Sequence, residues 1–264
     1  MRISLAEVRS KGQDHPHLQA DPTYARWVMR KLSPIMTFAV VRWTPLSADA
    51  VTGLAVASGL GAAGLALVWS PAAFLGAALL LQLAYLWDTV DGEVARVRGT
   101  SGKRGSYLDL IGHVVQNQAL YASGAAALIL VTDSAGWALA ISLIGLGLAA
   151  PFGEQARAQV LGTSVGRLGV HGSSEPSQPR PSWSRPGALG YWAYRRLAFL
   201  WAYPASMNLF CIALLADAAQ MFADPGGGPL VLPAYTAVFL LTLAVKQVAN
   251  AIRILMHERW PVVT

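Results

Sequence analysis

The sequence has few charged residues. Only 13% of its 264 residues are Asp, Glu, Lys or Arg, whereas 54% are hydrophobic and the mean hydropathy is +0.43. A soluble globular domain carries about 25% charged residues. Because so few polar groups cannot cover a compact core in water, the composition predicts that lipid surrounds much of the surface. It also excludes disorder and a collagen-like chain.

Other common signals are missing as well. The only cysteine, Cys211, cannot form an internal disulfide, and its place in an apolar run indicates packing rather than a nucleophile. No period-2 alternation of about ten residues recurs, which disfavours a β-barrel. No internal repeat is visible, which weakens a transporter interpretation. The H-E-x-x-H, C-x-x-C and P-loop patterns are absent too.

Long hydrophobic runs take the place of these signals. A helix needs about 20 apolar residues to cross a bilayer. The sequence contains six runs near or above this length: Leu46–Trp69, Ala72–Val94, Tyr107–Val131, Gly136–Gly153, Leu197–Phe222 and Leu230–Leu255. They predict an all-α integral membrane protein with six transmembrane helices.

The basic residues predict the orientation. All 20 Lys and Arg lie before the first run, in the second-to-third and fourth-to-fifth connections, or in the last run and tail. The connections near Ser70, Asp133 and Asp224 have none. The positive-inside rule therefore places both termini on the cytoplasmic side of the cell (inner) membrane. This distribution explains the net charge of +6 as a topology signal and predicts no nucleic-acid partner.

The segment before the first run predicts an amphipathic helix lying in the membrane interface. Apolar residues at helical spacing oppose basic ones, with Trp27 beside them and Pro34 expected to bend the helix. The apolar residues are Val28, Leu32, Ile35 and Met36, and the basic ones are Arg26, Arg30 and Lys31. We therefore divide the chain into an N-terminal cytoplasmic segment, 1–45, and a six-helix transmembrane domain, 46–264, with a cytoplasmic loop at 162–190.

Acidic residues cluster at the cytoplasmic ends of the second and third runs. Asp88 and Asp91 are i, i+3 neighbours, and Asp109 and His113 are i, i+4 neighbours, so each pair shares a helix face. If the two helices pack together, the carboxylates and the imidazole converge near the membrane surface. Charged groups inside apolar helices are functional candidates. Oxygen ligands of this kind suit Mg²⁺ or Mn²⁺.

Small and basic residues accompany these acids. Gly92, Ala95 and Gly105 would let a ligand come close, and Arg96 could hold a phosphate in a bidentate contact. Such a set suits a substrate that contains pyrophosphate. The alternative is that Asp88 and Asp91 form buried ion pairs with Arg96 and Arg98. Glu93 flanks the motif, and we expect it to be solvated.

The spacing of these residues resembles the signature of the CDP-alcohol phosphotransferase (CDP-alcohol phosphatidyltransferase) family, D-x2-D-G-x2-A-R-x8-G-x3-D-x3-D. Seven of its eight fixed positions match: Asp88, Asp91, Gly92, Ala95, Arg96, Gly105 and Asp109. Trp43-Thr44-Pro45 through Thr52 is similar to the start of the family's first transmembrane helix.

The resemblance implies metal-dependent transfer of a substituted phosphate group from a CDP-linked alcohol to an acceptor hydroxyl. CMP would leave and a phosphodiester would form, as in phospholipid synthesis, in a cytoplasm-facing cavity of a homodimer. The donor could be CDP-diacylglycerol or a polar CDP-alcohol. Asp88, Asp91, Asp109 and the residue at 113 would lie at the metals, with Asp109 and His113 catalytic. The nucleotide would contact Asp88, Gly92, Ala95, Arg96 and Gly105.

His113 departs from the family signature, which has an aspartate in this position. Three interpretations stay open: a general base, whose unperturbed pKa of about 6.5 suits proton transfer near neutral pH; a metal ligand, although imidazole prefers softer ions than Mg²⁺; or a site with altered activity.

A polar stripe on the last run could bind the acceptor. Lys246, Asn250 and Arg253 are spaced i, i+4, i+7, and Arg157 and Asn117 are further candidates. The alternative for the arginines is an interfacial position at lipid headgroups. Two other functions compete with the transferase: a CDP-binding relative with altered catalysis, and a transporter whose buried acids conduct cations.

Overall fold

The structure is a computed structural model that describes residues 3–13, 24–132 and 205–243. Within these ranges the chain is helical and contains no strand, which confirms the all-helical prediction for this part of the protein. The elements are α1 (Leu5–Gln13), a π-helical turn (Ala25–Met29), α2 (Arg30–Trp43), α3 (Ala48–Ala66), α4 (Pro71–Arg98), α5 (Lys103–Val131), α6 (Ala205–Ala223) and α7 (Val231–Leu243).

Four of these helices, α3 to α6, are long and apolar enough to cross a membrane. They coincide with the first, second, third and fifth predicted runs, and they make the chain an integral membrane protein. Helix α7 covers the beginning of the sixth run. The fourth run and the predicted loop at 162–190 lie outside the described residues, so the number of six spans stays a prediction.

Local sequence signals mark the ends of α3 and α4. Ser47 Oγ accepts a hydrogen bond from the N–H of Ala50 at 3.2 Å, and Ser70 Oγ accepts one from the N–H of Ala73 at 3.2 Å. These are N-cap bonds, which satisfy backbone donors that have no partner within the helix. Pro71 occupies the first turn of α4, and Gly99 ends the helix in the left-handed conformation with φ 67°.

Helix α3 packs between α4 and α5, and small residues permit the close approach. A Cβ built on Gly61 would lie 3.2 Å from Leu80 Cδ1 of α4, and one on Gly112 of α5 would lie 2.9 Å from Val56 Cγ2 of α3. Such contacts leave no room for a side chain, as expected where helices associate by close packing in lipid. The C-terminal end of α4 and the N-terminal ends of α3 and α5 therefore meet on one side of the molecule.

The N-terminal helices pack against the C-terminal half of α4. Ile3 and Val8 of the N-terminal segment and Val40 and Val41 of α2 are buried in one cluster with Val94 of α4. On the opposite face of the π-helical turn and α2, apolar side chains are exposed. Trp27, Leu32 and Ile35 have exposed fractions of 65%, 47% and 53%. That face suits lipid contact, but an interfacial position of α2 stays a prediction.

Asp217 is a buried acid whose role the sequence did not indicate. It lies in α6 and is fully buried, yet its two carboxylate oxygens accept the backbone N–H groups of Leu230, Val231 and Leu232 at 2.8, 2.7 and 2.7 Å. These N–H groups stand at the beginning of α7, where no carbonyl of that helix can reach them. Asp217 therefore caps α7 across the turn between the two helices.

Candidate active site

The acidic residues lie at the side where the ends of α3, α4 and α5 meet. Helix α4 has 28 residues. At 1.5 Å per residue it is about 42 Å long, about 12 Å more than the hydrocarbon core of a bilayer. The C-terminal turns of α4, which carry the charged residues, can therefore reach the membrane surface while its N-terminal part stays in lipid.

Asp88, Asp109 and His113 come together across α4 and α5. His113 Nε2 lies 2.9 Å from Asp88 Oδ1, and His113 Nδ1 lies 3.5 Å from Asp109 Oδ1. One ligand atom from each of the three residues fits within 4.8 Å of the others. The expected convergence of the two helix faces is thus present for Asp88, Asp109 and His113. Two carboxylates and one imidazole at this separation form a donor set that fits a divalent cation.

Asp91 lies outside that group of three. It is 8% exposed, and its Oδ2 accepts a hydrogen bond of 2.5 Å from Thr52 Oγ1 of α3. Its assignment as a metal ligand stays a prediction. Sequence reasoning placed Thr52 at the start of the first transmembrane helix but did not give it a role at the site. Only the packing of α3 against α4 brings the hydroxyl to the carboxylate.

Arg96 folds back along α4 over Gly92. A Cβ built on Gly92 would lie 3.2 Å from Arg96 Nη1, so the missing side chain makes room for the guanidinium. Arg96 Nε donates to the carbonyl oxygen of Gly12, the penultimate residue of α1, at 2.7 Å. At Gly105 a built Cβ would meet no atom within 4 Å, so this glycine borders open space. Ala95 is half-buried on the same helical turn as Arg96.

The expectation that Glu93 is solvated is wrong. Its side chain is fully buried, and its carboxylate accepts hydrogen bonds from Ser33 Oγ at 2.6 Å and from Thr37 Oγ1 at 2.7 Å, both on α2. Gln13 Nε2 adds a third bond at 3.2 Å, and Arg30 Nη1 lies 3.6 Å away. Burial of a carboxylate is costly unless donors surround it, and α1 and α2 supply them here.

Arg98 donates its hydrogen bonds to backbone carbonyl groups. It therefore does not act as the ion-pair partner of Asp88 or Asp91 that the alternative interpretation of the motif requires. Its Nη1 donates to the carbonyl oxygen of Leu46, and its Nη2 donates to that of Thr44 at 3.2 Å. These contacts tie the segment between α2 and α3 to the end of α4.

Arg104 and Asp49 form an ion pair of 3.2 Å on the exposed surface between α5 and α3.

The predicted acceptor residues are only partly within the described structure. Asn117 is half-buried on α5, one helical turn beyond His113. Arg157, Lys246, Asn250 and Arg253 lie outside the described residues. A role of these residues in acceptor binding therefore stays a prediction.

The fold and the site together define an integral membrane protein with a carboxylate and imidazole cluster near one end of its helices. Residues 46–167 match the family model of CDP-alcohol phosphatidyltransferase, which supports the assignment to this family. The matched region begins at the start of α3 and includes every member of the Asp88–His113 cluster. A comparison with curated proteins finds no match.

The family match indicates a class of chemistry. Members of this family transfer substituted phosphate groups from CDP-alcohol donors to alcohol acceptors in membranes, within phospholipid biosynthesis. Family members generally use a divalent metal, and the donor set of Asp88, Asp109 and His113 fits one.

Proposed function

We propose that this protein transfers the alcohol-bearing phosphate of a CDP-alcohol to an acceptor hydroxyl and releases CMP. The acceptor oxygen attacks the phosphorus that carries the alcohol. The bond from that phosphorus to the oxygen bridging it to the cytidine phosphate breaks, and the electron pair leaves with CMP. The observation that carries this proposal is the cluster of Asp88, Asp109 and His113 inside the matched family region.

His113 is proposed as the general base. His113 Nε2 lies 2.9 Å from Asp88 Oδ1, so the imidazole stands beside this carboxylate at the centre of the cluster. A ring nitrogen of the neutral imidazole would take the proton of the acceptor hydroxyl. A positioned base of this kind accelerates a reaction by about 10²–10⁴-fold.

Asp88, Asp91 and Asp109 are proposed to hold Mg²⁺ or Mn²⁺, with His113 as a competing ligand. When bound, the metal would offset negative charge on the phosphoryl oxygens. The aspartate of the family signature at position 113 would add a fourth negative charge, whereas a neutral imidazole does not. We therefore expect weaker binding of a second ion than in a four-carboxylate site, and a preference for Mn²⁺ over Mg²⁺ if His113 binds metal.

Arg96 is proposed to contact the phosphates of the donor, with Gly92, Ala95, Gly105 and Asp88 lining the nucleotide. The open space at Gly105 and the folded position of Arg96 over Gly92 support this assignment. We further propose that the site lies on the cytoplasmic side of the cell (inner) membrane. Residues 46–264 would form the catalytic domain, and the protein would be a homodimer.

The test is CMP release by the purified protein in lipid nanodiscs. CDP-diacylglycerol and a polar CDP-alcohol serve as separate donors, each with Mg²⁺, Mn²⁺ or EDTA. We expect metal-dependent CMP release with one donor class and its loss in Asp88→Asn, while Glu7→Gln, a change at an exposed ion pair of α1, behaves as wild type. A cation flux through the protein in liposomes, without CMP release, would instead support the transporter.

The departure at His113 favours a second candidate, a CDP-binding relative with altered catalysis. This candidate predicts binding of CDP by the purified protein and no CMP release with any donor. Calorimetric titration of CDP beside the transfer assay separates the two functions, because only the transferase gives both signals.

A further inference from the structure

The buried carboxylate of Glu93 has no part in the proposed reaction. It lies on α4 one residue beyond Gly92, and its hydrogen-bond donors come from two other elements, α1 and α2. Arg30, Ser33 and Thr37 are spaced i, i+3, i+7 on α2, so they share the face that meets Glu93. Ser33 and Thr37 are fully buried.

Pro34 affects this network because it leaves one backbone carbonyl of α2 without its usual helical donor. A proline inside a helix has no N–H for the carbonyl four residues earlier, which here belongs to Arg30. Gln13 Nε2 donates to that carbonyl oxygen at 2.8 Å and also to Glu93 Oε1 at 3.2 Å. One amide group at the end of α1 therefore links the backbone of α2 to the carboxylate of α4.

Helix α1 is short and makes few buried contacts besides these. It has nine residues, of which only Val8 and Gly12 are buried. An isolated helix shorter than about 12 residues is marginal in water. A Cβ built on Gly12 would lie 3.3 Å from Glu93 Cβ and 3.7 Å from Val97 Cγ2, so the backbone of α1 rests directly on α4 at this residue.

The same residue of α1 holds the arginine of the family motif. The carbonyl oxygen of Gly12 accepts the 2.7 Å hydrogen bond from Arg96 Nε. We infer that Glu93 is a positioning residue, which docks α1 on α4 so that the Gly12 carbonyl holds Arg96 over Gly92. This inference rests on the proposed function, because it takes Arg96 as the contact of the donor's phosphates.

The inference predicts separate effects on donor binding and on turnover. If α1 loosens, Arg96 loses one hydrogen bond that fixes its direction, whereas Asp88, Asp109 and His113 keep their contacts. We expect Glu93→Gln to raise the KM for the donor about tenfold, the effect of losing one hydrogen bond to a charged group. The kcat and the KM for the acceptor should change less than about twofold, because the reacting groups are untouched.

The experiment combines three measurements on the full-length protein in nanodiscs. Hydrogen exchange of the α1 amides reports the docking, calorimetric titration of CDP reports nucleotide affinity, and CMP release gives KM and kcat. Glu93→Gln keeps the size of the side chain. Gln13→Ala is the second variant, because it removes one hydrogen-bond donor of the network and leaves the carboxylate of Glu93 in place. Glu7→Gln is the matched control: it removes a carboxylate from α1 that pairs only at the surface with Lys11, at 2.7 Å.

We expect both network variants to speed exchange in α1 and to weaken CDP binding about tenfold, with Glu7→Gln close to wild type. Unchanged exchange in both network variants would overturn the anchoring role of Glu93. Faster exchange with unchanged CDP affinity and donor KM would overturn the link to Arg96. If Glu93→Gln fails to fold, Gln13→Ala decides between these outcomes.

Failure of the proposed function is distinguishable from failure of this inference. A wild-type protein that binds CDP but releases no CMP refutes the transferase, while the exchange and CDP measurements still test the positioning role. A wild-type protein that neither binds CDP nor releases CMP refutes both.

Discussion

Replacing Gly92 by alanine should separate the stability of the protein from its activity. The new Cβ would lie 3.2 Å from Arg96 Nη1, 3.6 Å from Nη2 and 3.7 Å from Cζ. The optimum separation of nonbonded carbon atoms is about 3.5–4.0 Å, so the guanidinium must move by a few tenths of an ångström. Because it ends a flexible side chain, this movement costs the fold little. Alanine in a helix interior is favoured over glycine by about 0.5–1 kcal/mol.

The same substitution should weaken the binding of the CDP-alcohol donor. A displaced Arg96 loses part of its charge-assisted hydrogen bond to the donor's phosphates, and such a bond is worth about 1.5–3 kcal/mol in full. A loss of about 1.4 kcal/mol corresponds to a tenfold lower affinity. We therefore expect the thermal unfolding midpoint of Gly92→Ala to stay the same or rise, while the donor KM in the CMP-release assay increases about tenfold.

The control for this experiment is Gly64→Ala in α3, where a built Cβ meets no atom within 4 Å. It gains the same helix propensity without touching the site, so its donor KM should equal that of the wild type. The reasoning is refuted if Gly92→Ala keeps the wild-type donor KM, or if both alanine variants raise it equally.

Substitutions at three further positions test other contacts. His113→Ala should lower kcat by about 10²–10⁴-fold, and His113→Asp should retain part of the activity; full CMP release by the alanine variant would exclude the base. Thr52→Val removes the donor to Asp91 and should reduce CMP release about tenfold, with rescue by Thr52→Ser; equal activity of Val and Ser variants would show that the hydroxyl is dispensable. Asp217→Ala leaves three backbone N–H groups of the α7 start without their acceptor and should cost about 3 kcal/mol or more, so the unfolding midpoint should fall while the donor KM stays unchanged; an unchanged midpoint would refute the capping role.

Several features were predictable because neighbours in sequence determine them. The apolar length of a run defines a membrane-capable helix, and Ser47, Ser70 and Gly99 mark helix ends through bonds to residues within one turn. The motif spacing worked for the same reason. On a helix, i, i+4 neighbours share a face, so Asp109 and His113 needed only one contact with α4, at Asp88, to form the cluster.

The sequence by itself therefore determined the membrane class, the sharing of one helix face by Asp109 and His113, and the resemblance to the family. Tertiary structure alone decided which polar groups meet across distant parts of the chain. Glu93 is buried because Ser33 and Thr37, 60 and 56 residues away, supply its hydrogen bonds. A charged residue beside a motif has the same local sequence whether water or protein donors surround it. Its environment depends on long-range packing, which no periodicity or spacing records.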